Sequence, residues 1–359
     1  MEYAPWLDRG ASRRVLAEHG LPEPRCEAWR YSNPNRWYKA QQRVAPSAGD
    51  MPKAVGARLV DFGAADDDAR ALIREHLHTA TDRAKHPLAT VNDIAMQLGL
   101  LVYVPISDTP AEIEFGELGG GIERILVVVE PNASATVVER AATPMHRVVE
   151  CVLGEGARVD HVRLQPPSES VEYHLVAARL GTASRYRLAQ YSQGATLRRN
   201  DLHVTVAGRG AEVEVQCGYR LAAGTHLDTQ VGVEHEETDG ISRQTARGVV
   251  GERARAVLNG RIHVAPGAQR TDAALTTKSL LLASTAQVNA KPELTIYDDD
   301  LRCAPGATGG DLDADALFYL RSRGGAEGAA RELLIGGFLA EAVSDVAGDH
   351  ARALLGIAP

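Results

Sequence analysis

The feature that most constrains this chain of 359 residues is a run of about two hundred, from Leu100 to Gly310, in which apolar and polar residues alternate. Residues 125–130, 159–164, 202–206 and 231–235 are typical stretches of it. Alternation with a period of two indicates β-strands with one buried face. Because no helical segment of normal length interrupts the run, folds that alternate strands with helices, such as the Rossmann fold and the TIM barrel, are excluded.

A Gly-Ala step recurs within this run, and its spacing bears on how the strands are connected. It occurs at Gly156, Gly194, Gly210, Gly267 and Gly306, with separations of 38, 16, 57 and 39 residues, loosely multiples of a number near 19. A repeated unit of strand, glycine corner and strand is typical of a parallel β-helix. Its narrow interior of medium aliphatic side chains explains why the chain has only 4 Phe and 3 Trp. From the pattern alone, an antiparallel sandwich with Gly-Ala turns stays open as the alternative.

Helical patterns occupy both ends of the chain. Residues 5–19 are followed by Gly20, residues 66–78 open with three Asp, and residues 313–323 are followed by Gly324; these are helix start and stop signals. Two further helices are predicted at 327–335 and 338–346. We therefore predict a mainly β protein with an N-terminal helical region (1–99), a β-helix core (100–310) and a C-terminal helical region (311–359).

Charge and cysteine spacing exclude several classes of function. With 39 Lys and Arg against 47 Asp and Glu, the net charge of −8 argues against a nucleic-acid or anionic-membrane binder. The four cysteines stand singly, so neither a structural zinc site nor a redox CxxC pair is indicated. The N-terminal residues lack the pattern of a secretory signal peptide, and no apolar stretch is long enough to span a bilayer. The expectation is a cytoplasmic protein.

The sequence also lacks the common catalytic signatures. It has no GxxxxGK[ST], GxGxxG or GxSxG motif, so it predicts neither a phosphate loop nor a hydrolase, and no catalytic residue. The densest group of potential ligands is the run of three Asp at 298–300 followed by Cys303. Carboxylates and a thiolate are able to hold iron, but a run of Asp is also common in a solvated turn. Both interpretations stay open on spacing alone.

Longer motifs at both ends of the chain resemble those of a known family. They are Asn259-Gly-Arg-Ile-His-Val-Ala-Pro-Gly, Lys291-Pro-Glu-Leu-Thr-Ile-Tyr-Asp-Asp-Asp-Leu-Arg-Cys and Leu317-Phe-Tyr-Leu-Arg-Ser-Arg-Gly, with Gly20-Leu-Pro and Glu27-Ala-Trp-Arg-Tyr-Ser near the N-terminus. Together they resemble the SufB/SufD family of iron-sulfur cluster assembly proteins. The Phe-Tyr-Leu-Arg-Ser-Arg-Gly form favours the SufD branch over the SufB branch.

This resemblance implies a right-handed parallel β-helix between helical ends and a non-enzymatic scaffold role. It implies pairing with a SufB-like paralogue and docking of a SufC-like ATPase, in which the ATPase activity would lie. Whether the chain also forms a homodimer in isolation stays open. No cofactor is expected to bind stably to the chain alone, whereas a transient iron-sulfur cluster or iron is expected only in the complex. Nucleic acid and membrane are not expected partners.

The resemblance also assigns candidate site residues. The strand from Glu293 to Asp300 is expected at the partner interface through Leu294, Ile296, Tyr297 and Asp300. The helix from Asp313 to Arg323 is expected to contact the ATPase through Phe318, Tyr319, Arg321 and Arg323, which exceed what one buried helix face can hold. Cys303 is the candidate metal ligand. Where the family has a His two residues later, this chain has Pro305, which cannot ligate a metal.

Two other classes compete with this reading. A β-helix carbohydrate enzyme of the pectin lyase type would need aromatic sugar platforms and usually a secretory signal, and the 17 aromatic residues (4 Phe, 3 Trp, 10 Tyr) count against it. A β-helix interaction module without a metal connection is the third possibility. Copurification with an ATP-binding subunit separates the scaffold from both.

Overall fold

A computed structural model describes residues 3–41, 49–50, 52–119, 121–140, 146–297 and 301–358. The α-helices in these residues are α1 (Gly10–His19), α2 (Pro34–Gln41), α3 (Asp67–His76), α4 (Pro87–Ala95), α5 (Ala314–Ser322), α6 (Glu327–Ala340) and α7 (Gly348–Leu355). Short 3-10 helices lie at Glu27–Trp29 and Phe62–Ala64.

The strands fill the middle of the chain. They are β1 (Lys53–Val55), β2 (Arg58–Asp61), β3 (Leu98–Val104), β4 (Ala111–Phe115), β5 (Ile122–Val129), β6 (Ser134–Arg140), β7 (His146–Leu153), β8 (Arg158–Gln165), β9 (Ser168–Leu180), β10 (Arg185–Ser192), β11 (Ala195–Val206), β12 (Glu212–Leu221), β13 (His226–His235), β14 (Ile241–Val250), β15 (Arg255–Val264), β16 (Thr271–Leu281), β17 (Gln287–Ile296) and β18 (Leu301–Gly310).

The strands form two sheets of nine. Sheet 1 has the order β1-β4-β6-β8-β10-β12-β14-β16-β18, and sheet 2 has the order β17-β15-β13-β11-β9-β7-β5-β3-β2. From β3 onward, consecutive strands alternate between the sheets and each pairs in parallel with the strand two positions away. Among the strands of the described residues, only β1 and β2 are antiparallel to their neighbours. This is a parallel β-solenoid of about seven turns, so the β-helix with helical ends is confirmed and the antiparallel sandwich is wrong.

The length of one turn differs from the unit near 19 residues that the Gly-Ala spacing predicted. Arg158 pairs with Arg185 and Arg185 with Glu212, so each of these turns takes 27 residues. The longest register step, from Arg255 to Gln287, takes 32. The shorter unit is wrong because one turn contains two long strands and two corners, for example β8 with 8 residues and β9 with 13.

The glycines of the Gly-Ala steps lie at corners on both sides of the solenoid. Their spacing therefore does not give the length of one turn. Gly156, Gly194, Gly210 and Gly267 have φ angles between 65° and 89°, a left-handed conformation that favours glycine. Gly194 lies at the corner opposite to that of the other three. The fifth predicted corner, Gly306, is wrong because this residue lies inside the extended strand β18.

The helix signals at the two ends are largely confirmed. Asp66 accepts a hydrogen bond from the Ala69 N–H at 2.9 Å at the start of α3, and Asp313 accepts two at the start of α5. The two helices predicted at 327–335 and 338–346 are wrong, because one helix, α6, continues through Gly336 and Gly337 and ends at Ala340. Packing of its Ile335 and Leu339 on the β-helix offsets the weak helix propensity of two glycines. The strands β1 and β2 within the N-terminal region were not predicted.

Each helical region covers a different sheet. The N-terminal segments pack on the outer face of sheet 2, where Phe62 and Ile73 contact Leu101 and Leu126. The C-terminal helices pack on the outer face of sheet 1, where a cluster joins Val162, Leu164 and Tyr191 of the sheet to Ile335, Leu339 and Leu355 of the helices. None of the helices within the described ranges is both long and apolar enough to span a membrane.

The interior of the β-helix holds charged side chains beside its aliphatic residues. Three Glu and three Arg with at most 1% exposure are paired there: Glu123, Glu139, Glu172, Arg147, Arg163 and Arg198. Arg163 Nε donates to Glu139 Oε2 at 2.7 Å, and Arg147 Nη1 donates to Glu139 Oε1 at 3.2 Å. Burial alone would raise the pKa of Glu139, but Arg163, a hydrogen bond from His161 and Arg147 together hold it well below its usual value.

We predict that Glu139→Ala lowers the free energy of unfolding by about 3–5 kcal/mol, because it leaves two buried guanidinium groups short of a carboxylate. A depressed folded-state pKa means that this stabilisation is present above the unfolded-state pKa of Glu, about 4.3, and is lost as the pH falls through the folded-state pKa. Urea denaturation at pH 7 and pH 4 measures both effects.

The matched control is Glu212→Ala. Glu212 and Arg185 are 3.7 Å apart and about half exposed, so this change should cost less than about 1 kcal/mol. Equal losses in the two variants would contradict the prediction.

Candidate functional site

The last turn of the β-helix presents two long unpaired strand edges. β17 and β18 are the outermost strands of sheet 2 and sheet 1, and in the described part of the chain neither has a second neighbour. Each has 10 residues, whereas the edge strands at the opposite end, β1 and β2, have 3 and 4. Long edge strands expose backbone donors and acceptors and are templates for pairing with another chain. We call β17 and β18 the terminal turn.

The terminal turn also opens the apolar interior of the β-helix. Leu294 and Ile296 are 38% and 39% exposed. They lie in register with Ile262 and Val264, which are fully buried one turn earlier. The same face that is interior in β15 is therefore open in β17. An apolar surface of this kind indicates an interaction site.

The other two predicted interface residues have different outcomes. Tyr297 follows β17 directly, is 62% exposed, and its ring contacts His263 edge to face at a centroid distance of 5.6 Å. It thus adds an aromatic side chain to the exposed end of the strand. Asp300, with the two Asp before it, lies outside the described residues.

Cys303 lies in the terminal turn and faces its interior. It is in register with Ala273 and packs on the cluster of Ile262, Val264 and Leu275. Burial, and then the negative charge of Asp272, raises the pKa of the Cys303 thiol. The side chain is therefore a protonated thiol at neutral pH in the isolated chain.

The described residues hold no group of three or more His, Cys, Asp or Glu that could bind a metal ion. Cys303 is a single donor, and the backbone of Pro305 lies in register with Leu275 where the resemblance would have a His. An iron-sulfur cluster needs several ligands. Any cluster at this position would therefore need ligands beyond those that the described residues provide.

The predicted ATPase contact lies on α5, directly after the terminal turn. Phe318 and Tyr319 are 73% and 57% exposed, and α5 has no buried residue. Arg323 lies over the Tyr319 ring at 5.3 Å, and Arg321 forms an ion pair with Glu327 at 3.4 Å. Exposed aromatic and Arg side chains on one helix are the residue types that dominate protein interfaces.

One exposed apolar residue of this region was missed. Leu333 of α6 is 62% exposed, and α5 packs against α6. The sequence pattern predicted a helix at residues 327–335 but did not indicate which face of it is exposed. Leu333 is followed by Leu334 and Ile335, and an apolar run of this kind indicates a buried segment unless the packing of the helix is known.

The chain is similar to a protein-family model and to several known proteins. A family model described as the SUF system FeS cluster assembly SufBD core domain matches residues 114–338. An iron-sulfur cluster assembly SufBD family protein from Synechocystis sp., slr0076, is 33% identical over 288 residues, 76% of this chain and 62% of that protein. Protein ABCI7, chloroplastic, from Arabidopsis thaliana is 31% identical over 249 residues, 65% of this chain and 52% of that protein.

The iron-sulfur cluster assembly protein SufD of Escherichia coli is 37% identical over 148 residues, 41% of this chain and 35% of that protein. The chain thus spans between about a third and just under two thirds of the length of these three relatives. The matched family region begins in β4 and ends in α6. It includes the terminal turn and the exposed helix α5.

Proposed function

Because the chain belongs to the SufBD core family of the SUF system for iron-sulfur cluster assembly, we propose that it is a non-catalytic scaffold subunit of the SufD type. In this proposal it pairs with a SufB-like chain through the terminal turn and binds a SufC-like ATPase through α5. The observation that carries the proposal is the open apolar end of the β-helix at Leu294 and Ile296, beside two ten-residue strand edges.

The geometry of the terminal turn supports a partner of the same fold. A second parallel β-helix has an equivalent last turn, so two such ends offer each other strand edges of similar length and an apolar interior of similar width. Backbone hydrogen bonds between edge strands would provide affinity, and Leu294, Ile296 and Tyr297 would provide specificity. A homodimer through the same edge is the alternative for the chain in isolation.

The ATPase contact is supported by the exposure of α5. An aromatic pair that is mostly in solvent contributes little to the stability of the chain itself but suits a partner groove. The sequence has no phosphate loop of the GxxxxGK[ST] type, so ATP hydrolysis in the proposed complex is assigned to the SufC-like partner.

Cys303 is proposed as one ligand of a transient cluster or iron in the assembled complex. Its sulfur is a soft donor suited to iron and sulfide, and it faces the open interior next to the proposed partner surface. The remaining ligands would come from the partner.

We predict that the double variant Leu294→Asp/Ile296→Asp weakens binding to a purified SufB-like partner at least about a hundredfold, because each buried anchor typically contributes 1–2 kcal/mol or more. Its melting temperature should change little, since both side chains are partly exposed in the isolated chain. Titration calorimetry and thermal unfolding measure the two quantities.

Val55→Asp is the control, because Val55 is 70% exposed on the edge strand β1 at the opposite end. Equal effects of both variants would argue against this interface.

We predict that Phe318→Ala/Tyr319→Ala abolishes detectable binding of a SufC-like ATPase and leaves pairing with the SufB-like chain intact. The reason is the loss of two aromatic anchors, each with an expected cost of about 2 kcal/mol. Point variants are preferable to deletion of the C-terminal region, because α6 and α7 cover apolar residues of sheet 1. Leu21→Ala, at an exposed leucine near the N-terminus, is the matched control. Retained ATPase binding would overturn the docking assignment.

We predict that Cys303→Ser leaves folding and complex formation unchanged and lowers the yield of iron-sulfur cluster reconstituted on the complex. The physical reason is that a hydroxyl, a hard donor, replaces the soft thiolate ligand with only a small reduction in side-chain size. Absorption spectra and iron and sulfide content measure the yield, with Cys26→Ser, an exposed cysteine near the N-terminus, as the control. A yield equal to that of the control would mean that this chain contributes no ligand at Cys303.

A further inference from the structure

A groove of about 840 Å³ lies on the outer face of sheet 2, away from the open interior and from α5. Segment 26–31 forms one wall of the groove, and Lys85 and His86 lie at one end of it. Outward-facing residues of β11, β13, β15 and β17 form its floor. Its volume falls within the range of about 300–1,000 Å³ that is usual for small-molecule sites. The groove shares β17 with the terminal turn, but the pairing proposed above uses the edge and the inward-facing side chains of that strand and not its outward-facing ones.

The side chains that line this groove have an excess of positive charge. The cationic ones are Arg30, Lys85, Arg199, Arg261 and Lys291. The carboxylates are Glu27, Asp201 and Glu293. Glu234 and Asp228, which lie behind this lining, bond to Lys85 and Arg261 and to Arg199, and they balance the total charge. The capacity of the groove for an anion therefore depends on how the individual cations are paired.

Three of these cations are incompletely neutralised. Lys85 and Arg261 share one carboxylate, that of Glu234, with Lys85 Nζ at 3.1 Å and Arg261 Nη2 at 2.8 Å from Oε1. Arg30 forms no ion pair within 4 Å among the residues that the structure describes, although its charge contributes to lowering the pKa of Glu27. Its guanidinium lies 5.8 Å from the Tyr31 ring centroid.

The other two cations are fully engaged. Arg199 bonds to Asp201, to Asp228 and to the Ala28 carbonyl, and Lys291 bonds to Glu27 and Glu293. The capacity for an additional anion therefore lies with Arg30, Lys85 and Arg261.

The floor beside these cations contains a recess. His203, Gly232 and Arg261 lie in register on adjacent strands, so the middle position of this row has no side chain. A Cβ at Gly232 would approach His203 Nδ1 to 3.2 Å. The His203 ring contacts His86 at a centroid distance of 5.0 Å. Burial lowers the pKa of both imidazoles, so at neutral pH both are neutral and each has one N–H. The His86 Nδ1–H donates to the Asp82 carbonyl at 3.1 Å, so His203 is the imidazole that can donate to a ligand.

We propose that this recess, bounded by Arg30, Lys85, His203 and Arg261, binds a small polyanion that carries phosphate or carboxylate groups. The guanidinium groups match the bidentate geometry of both kinds of anion, Lys85 adds a point charge, and the His203 N–H donates a hydrogen bond. The absent side chain at Gly232 leaves room for the anionic group at the floor. The proposal does not rest on the proposed partners, although β17 borders both the groove and the terminal turn.

Titration calorimetry of the full chain with inorganic pyrophosphate, and separately with citrate, tests the proposal at low salt. At least one of the two should bind with a dissociation constant below about 1 mM, and the tighter of the two identifies the preferred anionic group. Arg30→Ala and Arg261→Ala should each weaken binding about tenfold, the loss of one charge-assisted contact. Arg25→Ala, at an exposed Arg outside the groove, should leave it unchanged.

Glu234→Gln gives a change in the opposite direction. It removes the carboxylate that Lys85 and Arg261 share while it keeps an oxygen acceptor, so anion affinity should rise several-fold. Gly232→Val should abolish binding by filling the recess, with circular dichroism confirming that the variant is folded. Three results would overturn the proposal. They are failure of both anions to bind, equal affinities of the Arg30→Ala and Arg25→Ala variants, and weaker binding by Glu234→Gln.

Discussion

The in-register pairing of parallel strands is the constraint on which the rest of this structure depends. In each turn the backbone groups of one strand are satisfied by the turns before and after it, so the two ends are the places where the ladder has to stop. At the N-terminal end it stops at the short antiparallel strands β1 and β2, which carry Lys53 and Arg58. Short, charged edge strands discourage further pairing. No comparable closure is present after β18 in the described residues, so the two ends are chemically different.

The same stacking explains how the narrow interior tolerates charge. Strands in register bring Glu139 close to Arg163 of the next turn, and Glu172 close to Arg198, because adjacent parallel strands lie about 4.8 Å apart. Each buried charge therefore meets an opposite one across a strand spacing. A sequence with the same composition in another register would leave these groups unpaired, which is costly. The ion pairs thus help to define the register as well as the stability of the turns.

The sequence predicted the architecture better than its dimensions, and particular residues explain why. Alternation of residues reports which face of a strand is buried, and Asp66 and Asp313 mark helix starts through local hydrogen bonds, so both kinds of element were predicted correctly. The length of a turn depends on which corner each glycine occupies, and Gly194 lies opposite Gly156, which local sequence does not reveal. The groove brings Arg30 and Arg261 together although they are more than two hundred positions apart in the sequence. No local sequence motif could therefore predict it.

The open end of the β-helix sets a condition on the chemistry of Cys303. Its thiol is already disfavoured as an anion by burial and by Asp272, and a partner that covered Leu294 and Ile296 would exclude more water and disfavour the thiolate further. A bound metal ion or a cationic side chain from the partner would reverse this, because positive charge next to sulfur lowers a thiol pKa. Pairing alone would therefore keep Cys303 protonated, and ligation would begin only when iron, or a partner cation, reaches the enclosed interior. In the proposed complex, closure of the interface and arrival of a metal would thus be two separate requirements for ligation by Cys303. The isolated chain would meet neither of them.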